Sequence, residues 1–160
     1  MEATIVKPIN WHYIQDIRAN DWRRMKGDFG EHIVRELLES QGVHLERLQR
    51  RAEGLPDFKI SGLPVMIEVK AHMNRNKKAI PSKPPVWQRR GFVSLRRLGW
   101  RIFIASPQIA MAGDGGSIIC SGIEWYDFQE DGKLDRLEDT QPSFDSSRRT
   151  VKPIVLLNYP

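Results

Sequence analysis

The pattern of residues 65–70 predicts a β-strand whose two faces differ in chemistry. One face is apolar at every second position: Val65, Ile67 and Val69. The opposite face carries Met66, Glu68 and Lys70, because side chains alternate along a strand. The strand therefore presents an acid and a base side by side on the face opposite its apolar one.

A second, shorter alternation precedes this strand and predicts a hairpin. Phe58 and Ile60 alternate with polar neighbours, and residues 61–64 have the composition of a turn. A tight hairpin would bring Asp57 next to Glu68, and two close carboxylates repel each other unless a cation lies between them. Because oxygen ligands suit a hard cation, the pattern indicates a Mg²⁺ or Mn²⁺ site.

Residues 21–41 are predicted to form the longest helix of the chain. Its apolar residues recur at steps of three and four: Phe29, Ile33, Val34, Leu37 and Leu38. Gly42 is placed to close the helix as its C-terminal cap. Gly27 and Gly30 interrupt the first half, which favours a helix start near Asp28.

Glu31 lies at the border of the apolar stripe of this helix. It precedes Val34 by three residues and Leu38 by seven, whereas Glu36 and Glu39 fill the outward side. We therefore expect Glu31 to point toward whatever the helix packs on. The alternative is an exposed acid at the helix start that interacts with the helix dipole.

The rest of the chain is predicted to consist of short elements joined by loops. Residues 1–8 are interpreted as a tail or an edge strand. Further strands are predicted at 43–50, 100–105, 117–128 and 151–157, with the dense run at 100–105 in the centre of the sheet. Further helices are predicted at 11–17 and 86–98, and irregular segments at 72–85, 106–116 and 129–147.

The helix predicted at 86–98 follows Pro85, which suits a first helical turn, and ends before Gly99. Its apolar surface is expected to come from Trp87, Val93, Leu95 and Leu98. Gln88 lies in its first turn, where an ordinary exposed helix residue is the alternative to a functional role.

Charge is distributed very unevenly along the chain. The net charge is only +5, yet residues 69–113 contain no Asp or Glu and ten Lys or Arg. Such a block is typical of a surface that binds a polyanion, although a merely solvated basic face is the alternative. The residues proposed to contact nucleic-acid phosphates are Arg75, Lys77, Lys78, Lys83, Arg89, Arg90, Arg96 and Arg97.

Length and composition indicate one soluble intracellular domain. The 160 residues are enough for one core, and no segment approaches the length of a membrane span. Residues 1–8 lack the apolar core of a signal peptide, and the single Cys120 cannot form an internal disulfide, so a reducing cytoplasm is expected. The four histidines show no metal-ligand spacing, and a zinc site lacks cysteines.

Three local motifs together resemble a known nuclease superfamily. Pro56-Asp57 followed by Glu68-Val69-Lys70 resembles the PD-(D/E)xK signature of restriction-endonuclease-like nucleases. The first helix, with Lys26-Gly27, Gly30-Glu31 and the apolar stripe, is similar to that of archaeal-type Holliday junction resolvases. Gln88 lies where VRR-NUC-type nucleases place a glutamine after the lysine strand. Without these flanking motifs, a surface hairpin with a solvated acid and lysine would explain the signature.

The resemblance implies an α/β fold with a restriction-endonuclease-like core, in which a mixed central β-sheet is flanked by helices. The core would span residues 21–106 of a single domain covering residues 1–160, with the N-terminal helix and the C-terminal strands as additions. If the likeness to resolvases extends to assembly, a symmetric homodimer follows. The proline-rich segment after Lys70 departs from the compact resolvase pattern and weakens the case for junction specificity.

The implied function is a Mg²⁺- or Mn²⁺-dependent endonuclease that hydrolyses phosphodiester bonds in DNA, with selectivity for branched or junction DNA. Glu31, Asp57, Glu68, Lys70 and Gln88 are the catalytic candidates. The metal ligands would be Asp57, Glu68, the carbonyl of Val69, and Glu31 directly or through water. Lys70 would orient the attacking water or stabilise charge on the phosphate. A phage origin would suit so small a nuclease.

Two other function classes remain open from the sequence. A non-catalytic nucleic-acid-binding module would explain the basic block but not Asp57, Glu68 and Glu31, since acids facing phosphates weaken binding unless a metal offsets them. A subunit of a larger nucleic-acid-processing assembly would explain the five tryptophans and the acidic C-terminal region, because large aromatics anchor interfaces.

Overall fold

The computed structural model describes residues 5–8, 19–48, 54–73, 84–111, 117–137, 141–142 and 144. Within these ranges the chain forms two helices, α1 (Ala19–Ser40) and α2 (Val86–Arg97). The strands are β1 (Ile5–Pro8), β2 (Leu45–Arg47), β3 (Phe58–Ile60), β4 (Val65–Val69), β5 (His72–Met73), β6 (Arg101–Met111), β7 (Ser117–Phe128) and β8 (Leu134–Leu137). No helix among these residues is long and apolar enough to cross a membrane.

One mixed sheet unites the strands in the order β1-β7-β6-β4-β3-β2, with β5 attached to β6 and β8 to β7. β4 and β6 are parallel, with Val65 opposite Arg101 and Val69 opposite Ala105, whereas β3 pairs with β4 antiparallel. Parallel neighbours need a crossover, and α2 lies within it. The predicted α/β class, the mixed sheet and the central position of the strand beginning near residue 100 are therefore confirmed.

The two helices pack on opposite faces of β4. Val34 and Leu38 of α1 belong to the same core cluster as Val65, Ile67 and Val69. Phe92 and Leu95 of α2 share a second cluster with Met66, Ile102 and Ile104. All five residues of β4 are consequently buried. The alternation predicted for residues 65–70 is confirmed, but the alternative of a surface hairpin is wrong because the strand is covered on both sides.

Helix α1 begins at Ala19 rather than near Asp28, so the glycines do not interrupt it. A Cβ at Gly30 would lie 2.7 Å from Cβ of Ala71, whereas a Cβ at Gly27 would have nothing within 4 Å. Gly30 thus allows α1 to approach the chain just after β4. The predicted cap is confirmed, since Gly42 has φ of 79° and backbone hydrogen bonds link Val43 to Leu38 and Gly42 to Glu39.

Two other predictions about the elements need correction. β6 continues to Met111, where a loop was expected from residue 106, and Pro107 lies between the end of pairing with β4 and the start of pairing with β5. Pro107 has a ladder partner on the β7 side only, at Ile123, and a missing N–H is tolerated where the other side of the strand is unpaired. β8 forms within the segment expected to be irregular, as a hairpin with β7 whose turn contains Gly132 at φ of 86°.

The predicted apolar surface of α2 is confirmed for Leu95, which is buried, and for Val93, which packs against the second core cluster, but it is wrong for Trp87 and Leu98. Trp87 is 58% exposed and Leu98 is 44% exposed, and the buried residues of the helix are Gln88, Phe92 and Leu95. Their spacing of four and three residues defines a stripe that begins with a polar residue. The predicted elements at 11–17 and 151–157, and Arg75, Lys77, Lys78 and Lys83, lie outside the described residues.

The contrast between Gly30 and Gly27 gives a matched pair of substitutions. Gly30→Ala should destabilise the fold by about 1–3 kcal/mol, because the new methyl group overlaps Ala71. Gly27→Ala should stabilise it by about 0.5–1 kcal/mol, because it removes a helix glycine where there is room. Urea unfolding of both variants would measure the two effects, and shifts of the same sign would contradict the packing described for α1.

Candidate active site

The β3–β4 hairpin places Asp57 beside Glu68. Phe58 pairs with Ile67 and Lys59 with Met66, so the same register continued by one residue sets Asp57 opposite Glu68 on one face of the sheet. Oδ2 of Asp57 accepts a hydrogen bond of 2.8 Å from the backbone N–H of Val69. The carboxylate is therefore anchored to the peptide that separates the predicted acid and lysine.

Glu68 is a buried carboxylate with its hydrogen bonds on one oxygen. The residue is 3% exposed, and Oε1 lies 3.0 Å from Nζ of Lys70 and 2.8 Å from Nε2 of Gln88. Oε2 is also buried and has no hydrogen-bond partner within the described part of the chain. A buried carboxylate oxygen without a donor is unfavourable, so this atom marks a place where a cation would be stabilised.

The surroundings of Glu68 do not fully compensate the negative charge of its ionised form. Burial, and secondly the negative charge of Asp57, raise its pKa from the ordinary value of 4.5 to about 7. Lys70 and the amide of Gln88 lower it, but the net shift is upward. The carboxyl thus holds its proton over a pH range in which an exposed glutamate is ionised.

Lys70 lies immediately after β4 and remains partly accessible. Its backbone N–H donates to the carbonyl of Ala105 over 2.9 Å, which holds the chain against β6 beyond the last paired residue. Its side chain is 27% exposed, and its ammonium contacts Glu68 on the buried side. The ammonium therefore lies at the border between the carboxylate pair and solvent.

Gln88 completes the surroundings of Glu68 from α2. It is buried, so its interpretation as an ordinary exposed helix residue is wrong. The helix is held by a backbone contact, since a Cβ at Gly91 would lie 2.6 Å from both Cα and O of Gly54. Gly54 itself has φ of 83°, a conformation that favours glycine. This contact fixes the helix that carries Gln88 against the segment that leads into Asp57.

Glu31 is buried but paired differently. Its Oε2 accepts a hydrogen bond from Nη2 of Arg47 on β2, and the alternative of an exposed acid at the helix start is wrong. Among the residues described, no three His, Cys, Asp or Glu side chains come together as a group that could hold a metal ion. The structure therefore brings together Asp57, Glu68, Lys70 and Gln88, while the role of Glu31 as a ligand stays a prediction.

The oxygen atoms of this cluster fit a hard divalent cation. Asp57 and Glu68 supply two carboxylates, and the N–H of Val69 binds Asp57, while the carbonyl of Val69 as a ligand stays a prediction. Carboxylate and carbonyl oxygens are the ligands that Mg²⁺ and Mn²⁺ prefer. The cluster can therefore bind such an ion, and Lys70 lies where it can contact an anion beside it.

The basic residues of α2 are only partly free to contact a polyanion. Arg96 donates from Nη1 to the carbonyl of Trp100 over 3.2 Å. A cleft of about 420 Å³ separates α2 from the turn between β7 and β8. It is lined by Val86, Arg89, Arg90, Val93, Ser94, Arg97, Asp131 and Gly132. Three of the predicted phosphate contacts thus share one surface.

Sequence reasoning did not identify Arg47, Gly54 and Gly91 as parts of this region. A glycine in a helix interior, such as Gly91, often marks a close backbone approach, but the sequence does not show that Gly54 is its partner. Arg47 stands among several similar residues, and nothing in its neighbourhood distinguishes it.

Comparison of the chain with protein-family models, with curated proteins and with solved structures finds no match.

The raised pKa of Glu68 predicts a pH-dependent stability in the absence of divalent metal. Between about pH 4.5 and pH 7 the folded protein holds a proton that the unfolded chain releases, so stability falls as pH rises through this window. The shift corresponds to a loss of roughly 3 kcal/mol. Urea unfolding at pH 5 and pH 8 in EDTA would measure it.

Glu68→Gln is the matched control for this measurement, because it keeps the shape of the side chain and removes its titration. Groups that titrate in both proteins cancel in the comparison. The fall in stability from pH 5 to pH 8 should be smaller in Glu68→Gln than in the original protein. Equal falls would contradict the perturbed ionisation of Glu68.

Proposed function

We propose that the protein is a Mg²⁺- or Mn²⁺-dependent endonuclease with a restriction-endonuclease-like core, which hydrolyses phosphodiester bonds in DNA. The proposal rests chiefly on one observation: the buried carboxylate of Glu68 lies beside Asp57, contacts Lys70, and keeps one oxygen without a hydrogen-bond partner in the described structure. Placing a second acid beside a buried one is unfavourable unless a cation is shared between them, so a metal-binding role accounts for their placement.

The residues of the cluster would divide the work of phosphodiester hydrolysis. Asp57, Glu68 and the carbonyl of Val69 would hold the ion, which when bound supplies a water of lowered pKa and offsets charge on the phosphate. Lys70 would contact a non-bridging phosphate oxygen, since its ammonium is fixed by Glu68 and partly accessible. Gln88 would hold Glu68 in the orientation that directs its second oxygen outward from the pair.

The architecture is compatible with this assignment. β3, β4 and β6 form the centre of a mixed sheet, with α1 and α2 on its two faces, and the acids lie where the antiparallel hairpin meets the parallel pair. The choice of DNA, the preference for branched or junction DNA, the homodimer and an intracellular or phage setting rest on the resemblance to junction resolvases and restriction-endonuclease-like nucleases.

A non-catalytic binding module is the competing proposal, and the basic surface of α2 suits both. It gives no reason for Glu68, because a buried carboxylate with a pKa near neutrality contributes nothing to phosphate binding. Cleavage assays on the original protein and on variants of the cluster separate the two proposals.

Glu68→Ala should abolish cleavage of DNA. Lys70→Ala should lower the cleavage rate at least about a hundredfold, because charge stabilisation on the phosphate is lost. The exposed ion pair Glu46–Lys59 in the same sheet, with 3.9 Å between its charged atoms, provides the matched control. Glu46→Ala and Lys59→Ala should cleave normally. A panel of duplex, single-stranded, flap and four-way-junction DNA, each with Mg²⁺, Mn²⁺ or EDTA, would show the activity and its preference.

Metal binding can be measured without cleavage. At a Mg²⁺ or Mn²⁺ concentration of about a hundred times Kd, the folded protein should gain roughly 2.7 kcal/mol of stability. The gain should be absent in Glu68→Gln and in Asp57→Asn, and present in Glu46→Ala. Equal metal-induced shifts in melting temperature for all four proteins would place the ion elsewhere.

A further inference from the structure

The largest exposed apolar side chain in the described structure lies next to the proposed active site. The exposed large apolar residues there are Val86, Trp87 and Leu98, at the two ends of α2. Trp87 is 58% exposed and directly precedes Gln88, whose amide is 2.8 Å from Glu68. Trp87 belongs to none of the core clusters formed by the described residues, so its ring is available to a partner.

Trp87 begins an exposed ridge on α2. Trp87, Arg90, Ser94 and Arg97 follow one another at steps of three, four and three residues, and all are exposed. The ridge is about 15 Å long, since an α-helix rises about 1.5 Å per residue. The twelve residues of α2 include four arginines and no acid. The aromatic ring is complementary to a base, and the line of cations that follows it is complementary to the phosphates of a nucleic-acid strand.

The cleft beside the ridge has the same character. Val86 and Val93 supply apolar surface, and Arg89, Arg90 and Arg97 supply positive charge. The one acid in its lining is Asp131. Its Oδ2 lies 3.8 Å from Nζ of Lys133, and its Oδ1 accepts a hydrogen bond from the backbone N–H of Lys133. The negative charge of Asp131 is therefore partly offset, and the cleft remains suited to an anionic, partly apolar ligand.

We propose that this outer face of α2 binds an unpaired strand of nucleic acid, with Trp87 stacking on a base and Arg90 and Arg97 contacting phosphates along the same strand. The proposal rests on the nuclease function above and specifies its substrate. In a duplex the faces of the bases are covered by their neighbours, and only their edges are accessible in the grooves. Stacking on an exposed tryptophan therefore requires a base that has left the helix.

Other anionic partners match the surface less well. An acidic peptide offers carboxylates but no flat rings for Trp87, and an anionic membrane would favour a continuous apolar stripe, whereas Leu98 lies at the opposite end of the helix. An unpaired strand offers bases that stack on the ring and phosphates that pair with the cations. Gln88 is the next residue in the chain but its side chain is buried toward Glu68, so a base on Trp87 would lie on the solvent side of the same helical turn.

Binding in EDTA tests the proposal separately from cleavage. Fluorescence anisotropy with the full chain would compare labelled oligothymidylate with a duplex of equal length. Trp87→Ala should lower the affinity for the single strand about ten- to a hundredfold and leave the duplex affinity nearly unchanged. Trp87→Phe should retain most of the affinity, and Leu98→Ala, which removes an exposed apolar side chain at the other end of α2, should have no effect.

The possible outcomes separate this proposal from the proposed function. Equal losses on single strand and duplex, no loss on either, or tighter binding of polyglutamate or anionic vesicles than of oligothymidylate would overturn the assignment of Trp87. Loss of metal-dependent cutting in Glu68→Ala bears on the nuclease alone, since that variant should bind oligothymidylate in EDTA. Strand binding that depends on Trp87, without cleavage under any metal, would support the binding surface and reject the nuclease.

Discussion

The structure depends on how one buried carboxylate, Glu68, is accommodated in the centre of the sheet. Its strand, β4, is covered on both faces, so a charged group there cannot be solvated by water. Lys70 and Gln88 supply partial compensation on one oxygen, and Asp57 adds a second negative charge beside it. Packing an acid in this way lowers stability, and a protein retains such a group most readily where it has a function.

The chain connectivity determines which helix reaches this carboxylate. Because β4 and β6 are parallel, the chain must cross from the end of one to the start of the other, and α2 occupies that crossover on the face that carries Glu68. The contact between Gly91 and Gly54 then brings the start of α2 close to the hairpin. As a result, a single helix supplies both the buried amide of Gln88 and the exposed ring of Trp87.

Periodicity was sufficient to predict the hairpin, the two faces of β4 and the long helix with its glycine cap, because each follows from contacts between residues close in sequence. It failed at the first turn of α2, where the buried stripe starts with Gln88 and leaves Trp87 in solvent. Hydrophobicity ranks tryptophan above glutamine for burial, but the hydrogen bond to Glu68 reverses that order here. The extension of β6 past Pro107 and the pairing of Glu31 with Arg47 depend on distant strands, which no local pattern encodes.

The position of Glu31 distinguishes it from the other acids. α1 packs on the apolar face of β4, whereas Glu68 projects from the opposite face, so the two carboxylates could approach one ion only around the end of the strand. Gly30 brings the helix to that end, where it contacts Val69 and Ala71. Glu31 already has a cationic partner in Arg47, and it would have to exchange that partner for a metal ion. Glu68 is also paired with a cation, Lys70, but on Oε1, and its Oε2 has no hydrogen-bond partner in the described structure, so the proposed metal site needs no such exchange there.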